Sequence, residues 1–377
     1  MSKAAELAAL IGSQTALSNR NLIINGAMQV AQRGTSHSQS NPNAGGFHTV
    51  DRYAYRRTGT WSGVTAVTLT QESSGAPEGF KNFLRYAPVG SDATTPSGAT
   101  MKAQYKSEGL DASQLKWGTS NAEAVTLSFY VRSTVTGTFN VFIGDDDPAS
   151  TRTLQVKEYT INSANTWERK TLTFSGPTSG NWPIDNGKIF ELVWIISGDN
   201  AGGGSTALTS PDSWTVPTSD TPITSNQTDG VTTSSGQTWD ITGIQLEVGE
   251  QATPFEHRSY ADELRRCQRY YEMTGGGAPA KANSSTEFWV GLKFQVAKRA
   301  NPTASMVDPN TAIRIFEFGV GDRDSDSTPS ISAAYYNIHG ANVRVGTFSG
   351  ISAADTAITG GTPSDFSANQ FAFDAEL

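Results

Sequence analysis

Hydrophobic and polar residues alternate with a period of two through most of the chain, the spacing that gives a β-strand one buried and one solvated face. In VTLSFYV, Val125, Leu127, Phe129 and Val131 fall on one face, and Thr126, Ser128 and Tyr130 on the other. After a glycine-containing turn, Phe139, Val141 and Ile143 repeat the alternation in TFNVFIG, which predicts a β-hairpin. FELVWIIS sets Phe190, Leu192, Trp194 and Ile196 on one face, and WDITGIQLEVG does the same with Ile244, Leu246 and Val248. Later, Phe288, Val290, Leu292, Phe294 and Val296 alternate in EFWVGLKFQV, and AIRIFEF, ISAAYYNI, NVRVGTF and the terminal NQFAFDAEL continue in the same manner. Short strands joined by Gly/Ser/Thr-rich loops predict an all-β chain: a β-sandwich, then a second, smaller β-domain of roughly a hundred residues.

Two stretches break the period. Residues 4–11, AAELAALI, are strong helix formers that are apolar almost all round, so the predicted helix is marginal alone and requires its own domain, identical helices or another protein to pack on. SYADELRRCQRYY predicts a second helix, capped by Ser259 and Asp262, with Leu264, Cys267 and Tyr271 at helical spacing. The longest interruption runs from Gly198 to Gln237, and Trp214 in its middle is expected to pin it to the sandwich. The expected divisions are therefore an N-terminal helical anchor over residues 1–20, a sandwich closing with a short helix over residues 21–272, and a C-terminal β-rich domain over residues 273–377.

Composition narrows the function. The chain is low in hydrophobic (36%) and charged (17%) residues, yet its 10% of Phe, Trp and Tyr is incompatible with a disordered chain. A net charge of −8 and only short basic clusters argue against a nucleic-acid partner. No apolar run reaches the length of a membrane span, MSKAAELAALIGSQ lacks the pattern of a signal peptide, and the single cysteine fits assembly in a reducing cytoplasm. With four histidines (His37, His48, His257 and His339) and no nucleophile elbow, phosphate loop or zinc spacing, the chain reads as a non-enzyme. Cys267, ten residues beyond His257 and on the apolar side of its helix, reads as a small buried hydrophobe.

Two sets of residues are candidates for binding. Asp322, Asp324 and Asp326 in GDRDSDSTP alternate with short residues, a spacing able to wrap oxygens round Ca²⁺, although the glycine and distant glutamate of an EF-hand loop are missing; the alternative is a solvated acidic turn. Trp61, Trp117, Trp182, Trp214 and Trp289 lie in or beside polar loops, and each could stack on the apolar face of a sugar ring or serve the core.

NLIINGAMQVAQRGTS followed by FHTVDRYAY resembles the opening of a family of phage tail-fibre and virion structural proteins, with Tyr53 where the family carries tryptophan. WDITGIQLEVGEQATPFEHRSYADELRRCQRYYE is similar to the closing signature of the same family, TWERKTLTFSGPTSGNW to its middle, and FAFDAEL to its terminus. The resemblance implies a jelly-roll-like, carbohydrate-binding-module-like sandwich in a homotrimeric virion appendage. Such a subunit would attach through its N-terminus to other phage particle proteins and recognise a host surface glycan, without membrane insertion. It would be assembled in the bacterial host cytoplasm. The alternative role is a purely architectural capsid decoration or head fibre. Within the signature, Gly249 and Pro254 would let the last strand leave the sheet, and Phe255 would anchor the exit. In an N-terminally attached appendage, the loops containing GDRDSDSTP and SGISAADTAITGGTPSD are the expected contact surface.

Overall fold

The computed structural model describes residues 19–40, 45–145, 152–199, 212–217, 223–274, 276–307, 313–318, 321–325, 330–352, 355–361 and 371–377. The helix expected over residues 4–11 lies outside them. The chain is all-β and forms two compact units, one reaching Glu263 and the other spanning Leu264–Glu376. No described helix is long and apolar enough to cross a membrane.

The first unit is a jelly-roll-like sandwich of twelve strands: β1 (Ser36–Gln39), β2 (Gly46–Phe47), β3 (Tyr53–Thr58), β4 (Val64–Glu72), β5 (Phe83–Gly90), β6 (Thr100–Glu108), β7 (Val125–Ser133), β8 (Gly137–Gly144), β9 (Leu154–Ile161), β10 (Glu168–Phe174), β11 (Lys188–Gly198) and β12 (Trp239–Val248). One antiparallel sheet has the order β1-β4-β5-β12-β7-β10 and the other β2-β3-β6-β11-β8-β9. The alternating residues face each other between them: Val125, Leu127, Phe129 and Val131 share one core with Phe139, Val141, Ile143, Phe190, Trp194 and Leu246. A bulge between Thr242 and Gln245 turns both Ile241 and Ile244 inward. Gly243 makes the bulge feasible, with φ of +63° and only 2.7 Å between a would-be Cβ and the Phe80 ring.

Alternation predicts a solvated outer face for β8 and β11, and here the structure differs. Phe142, Val193 and Ile195 point outward yet are buried, forming a second apolar cluster with Leu154, Val156 and Ile223. Ile223 belongs to the long interruption, whose described residues cover this face. Asn140 ties it down: its Nδ2 donates to Thr224 Oγ1 at 3.0 Å, its Oδ1 accepts from the Thr224 N–H, and its own N–H donates to Gln227 Oε1. Trp214 pins the same interruption, as expected, by donating its indole N–H to the Ser175 carbonyl at 2.8 Å.

The opening and closing signatures meet each other. Leu22 N–H donates to the Leu246 carbonyl and Ile244 N–H to the Gly26 carbonyl. Asn21 Oδ1 accepts from the N–H groups of Ile23 and Leu246, while its Nδ2 donates to the Ile244 carbonyl at 3.0 Å. Asn25, left-handed with φ of +59°, donates to the carbonyls of Val30 and Asp51 and accepts from Gln29 and Val30. Glu256 accepts the Asn21 N–H at 2.8 Å, and Glu263 accepts that of Asn25. Arg258 donates to the carbonyls of Asn21 and Ile23 and pairs with both glutamates. This segment has no regular strand pairing, so many of its buried backbone groups depend on side chains for partners.

At one edge the two sheets are clasped by stacked imidazoles: His37 on β1 lies 4.3 Å from His48, which follows β2, with 3° between the ring planes. Burial, reinforced by the nearby His37, Arg33 and Arg56, lowers the His48 pKa to about 4.

Helix α1 (Tyr260–Gln268) is capped as predicted, with Ser259 Oγ accepting the Asp262 N–H at 3.2 Å and donating to the Asp262 carboxylate. In the second unit, Lys298 Nζ donates to the Gln268 carbonyl and pairs with the buried Glu272, and Cys267 is fully buried.

The second unit contains β13 (Tyr271–Thr274), β14 (Pro279–Ala282), β15 (Phe288–Lys293), β16 (Thr303–Met306), β17 (Arg314–Glu317), β18 (Gly321–Asp324), β19 (Ile331–Asn337), β20 (Gly340–Val345), β21 (Thr356–Gly361) and β22 (Phe371–Asp374). A three-stranded sheet, β13-β22-β16, and a seven-stranded sheet, β18-β17-β21-β14-β15-β20-β19, share a core that includes Phe288, Val290, Val343, Phe371 and Phe373. The terminal FAFDAEL is thus the middle strand of the smaller sheet.

Replacing Arg258 by alanine strips the buried Glu263 and the half-buried Glu256 of their cation, so denaturant unfolding should show a loss of about 3 kcal/mol. The exposed Lys116–Glu123 pair serves as a control, and Lys116→Ala should cost less than about 1 kcal/mol. His48 makes a second, pH-dependent prediction. Its folded pKa lies below the unfolded value of 6.5, so the unfolded chain binds the proton more readily and stability falls as pH drops from 6.5 to about 4. After discounting for partial exposure, the loss should be about 1–2 kcal/mol, and His48→Gln should flatten that part of the stability–pH curve.

Candidate functional site

The outer face of the seven-stranded sheet is built by strand alternation. On β15, Phe288, Val290 and Leu292 point into the core, which turns Trp289, Gly291 and Lys293 outward. The same parity on β20 turns Asn342 and Arg344 outward. Cross-strand register then sets Trp289 between Lys281 and Arg344, Gly291 beside Asn342, and Asn342 beside Tyr335. The row continues on the other side through Pro279, Ile358, Phe316 and Asp322.

Gly291 breaks this row of side chains. A Cβ there would meet only Asn342 Oδ1 at 3.5 Å and Pro279 at 3.9 Å, ordinary contacts, and the backbone is not left-handed. Neither sterics nor conformation requires the glycine, which weakens a strand interior and marks a place where another group approaches the backbone. Around it the face opens into a cavity of about 780 Å³, walled by Pro279, Lys293, Tyr335, Asn342 and the β19–β20 turn at His339. That is within the size range of ligand clefts.

Tyr335 is 69% exposed and approaches Trp289 with 5.5 Å between ring centroids. Trp289 is oriented by its indole N–H, which donates to Asn283 Oδ1 at 3.0 Å, and the Arg344 guanidinium lies 5.7 Å from its ring centroid. Arg344 in turn pairs with Glu287 at 3.6 Å. The described residues lining the cavity include no aspartate or glutamate.

The five tryptophans singled out in the sequence separate into two groups. Trp61 is buried and donates to the Thr58 carbonyl, with Arg57 over its ring. Trp117, Trp182 and Trp214 form a mutual edge-to-face cluster with centroids 4.9–5.9 Å apart, and each indole N–H is taken by a backbone carbonyl. Trp117 and Trp182 are buried and offer no ring face to solvent; Trp214 is partly buried against them. Trp289 is half-buried beside the cavity. Gly291, Tyr335 and Asn342 were not singled out, although a glycine inside the strand pattern FWVGLK is a readable signal.

Of the proposed calcium ligands, Asp326 lies outside the described residues. Asp322 and Asp324 are held by Arg314, whose Nη1 reaches Asp322 at 3.0 Å and whose Nε and Nη2 grip Asp324 at 2.7 and 2.9 Å. This fork holds the Asp324 carboxyl below its ordinary pKa. Two carboxylates already engaged by arginine do not fit an ion that takes six to eight oxygens. Among the described residues no group of three or more His, Cys, Asp or Glu is placed to hold a metal. The two loops expected to form the contact surface lie partly outside the described residues.

No family model and no curated protein matches the chain. Among solved structures, it is similar to the enzymatically active domain of tailspike protein 4 of bacteriophage CBA120, at 13% identity and a TM-score of 0.31, over 61% of this chain and 22% of that one. It is also similar to the family 11 carbohydrate-binding module of a Clostridium thermocellum cellulosomal cellulase, at 11% identity and a TM-score of 0.28, over 58% and 98% of the two chains. A third likeness is to the carbohydrate-binding module TmCBM61 in complex with β-1,4-galactotriose, at 8% identity and a TM-score of 0.27, over 61% and 100%.

The different settings of the tryptophans predict different variants. Trp117→Ala and Trp182→Ala should each cost about 3–5 kcal/mol in denaturant unfolding, as truncations of buried aromatics do. Trp289→Ala should cost about 1 kcal/mol or less.

Proposed function

We propose that the chain is a non-enzymatic structural subunit of a bacteriophage appendage that recognises a surface glycan through the outer sheet face of its C-terminal unit. The observation that carries the reading is the cavity opened by Gly291 between Tyr335, Asn342, Pro279 and Lys293. A pyranose placed on this floor would have the Asn342 amide and the exposed Tyr335 ring on one side and Pro279 on the other, a combination of hydroxyl partner and apolar faces of the kind sugars require.

The assignment to a virion appendage rests on the resemblance of the NLIING and QLEVG–CQRYY blocks to phage structural proteins. In that setting the subunit is a homotrimer attached through its N-terminus to other particle proteins. The architectural alternative, a capsid decoration or head fibre, differs in having no ligand.

Binding of the purified chain to a panel of bacterial capsular and lipopolysaccharide glycans decides between them. At least one glycan should bind and change Trp289 fluorescence. Gly291→Thr, which places a β-branched side chain on the cavity floor without a clash, should keep the fold and abolish binding. Prolonged incubation should release no reducing ends. Absence of binding across the panel would favour the architectural role, and released oligosaccharide would overturn the non-enzyme reading.

A further inference from the structure

We infer that the sheet-face cavity selects saccharides bearing an anionic group, a carboxylate or a phosphate; the inference rests on the saccharide reading of that cavity. Its chemistry lies in the balance of donors and acceptors. Lys293 is exposed on the wall, two positions along β15 from Gly291, or about 7 Å for a strand. Lys281 is exposed one strand away, opposite Trp289. Neither ammonium makes a hydrogen bond or ion pair among the described residues, in contrast to Arg344, which is answered by Glu287, and Arg314, which is answered by two aspartates.

An ammonium offers three donors and no acceptor. A cavity for a neutral sugar needs acceptors for hydroxyl protons, a task usually given to aspartate or glutamate. Here the described lining includes no carboxylate, and its side-chain acceptors are uncharged amide, hydroxyl and imidazole groups such as those of Asn342, Asn337, Tyr335 and His339. Anionic oxygens on the ligand would supply the two ammonium groups with the charged acceptors that the lining lacks. The setting sharpens the point, since a chain of net charge −8 repels polyanions in general and attracts them only where lysines stand without acids.

The test uses the full chain and two kinds of probe, each in a charged and a neutralised form. Uronate-bearing capsular polysaccharides are compared with the same material after carboxyl reduction, which turns each uronate into a neutral sugar, and phosphorylated lipopolysaccharide core oligosaccharides are compared before and after dephosphorylation. The charged form should bind about tenfold more tightly than its neutralised form, the scale of one charge-assisted hydrogen bond. The preference should shrink with added salt. The double variant Lys281→Gln, Lys293→Gln should erase it, so that charged and neutralised forms bind with equal affinity. Which treatment lowers affinity identifies the anion. Equal binding of charged and neutralised forms, still abolished by Gly291→Thr, would overturn the anionic selectivity and leave the cavity as a saccharide site. Binding indifferent to Gly291→Thr in a chain whose circular dichroism is unchanged would overturn the site, and the inference with it.

Discussion

The sandwich depends on the polar knot in which Asn21, Asn25, Glu256, Arg258 and Glu263 tie the first described segment to the exit of its last strand. The segment from Asn21 to Val30 is largely buried but not a strand, so only some of its N–H and C=O groups find backbone partners, such as Leu22 N–H on the Leu246 carbonyl, and many of the rest are answered by side chains. The asparagines supply both donor and acceptor from one short amide, and Asn25 also tolerates the left-handed backbone there. Arg258 bridges the two glutamates and the carbonyls of Asn21 and Ile23, so no charge in the knot is left unanswered. Residues more than two hundred positions apart in the chain thus form one structural joint.

The outward faces of the two large β-layers that alternation exposes are treated in opposite ways. On the sandwich, the outer face of β8 and β11 is sealed by residues of the long interruption, and Trp214 with Trp117 and Trp182 rivets that interruption in place. On the seven-stranded sheet, Phe316, Trp289 and Tyr335 stay partly or largely exposed. The covered face adds to the buried apolar core, whereas the exposed one keeps aromatic side chains in contact with solvent.

Much of this was legible in the residue pattern, because period-two alternation directly encodes which side of a strand meets the core. The all-β class, the core rows of β7, β8, β11 and β12, the cap at Ser259 and the pinning role of Trp214 all follow from local spacing and residue chemistry. What local spacing does not encode is the partner of each strand. Gly291, Asn342 and Tyr335 become neighbours only because β15, β20 and β19 pair in that order and register, and a one-residue slip would turn each of them into the core. The same holds for the buried outer cluster of Phe142, Val193 and Ile195, since whether an outward face is wet or dry is decided by which distant loop folds across it, and pairing free energies spread over many residues make that choice in three dimensions.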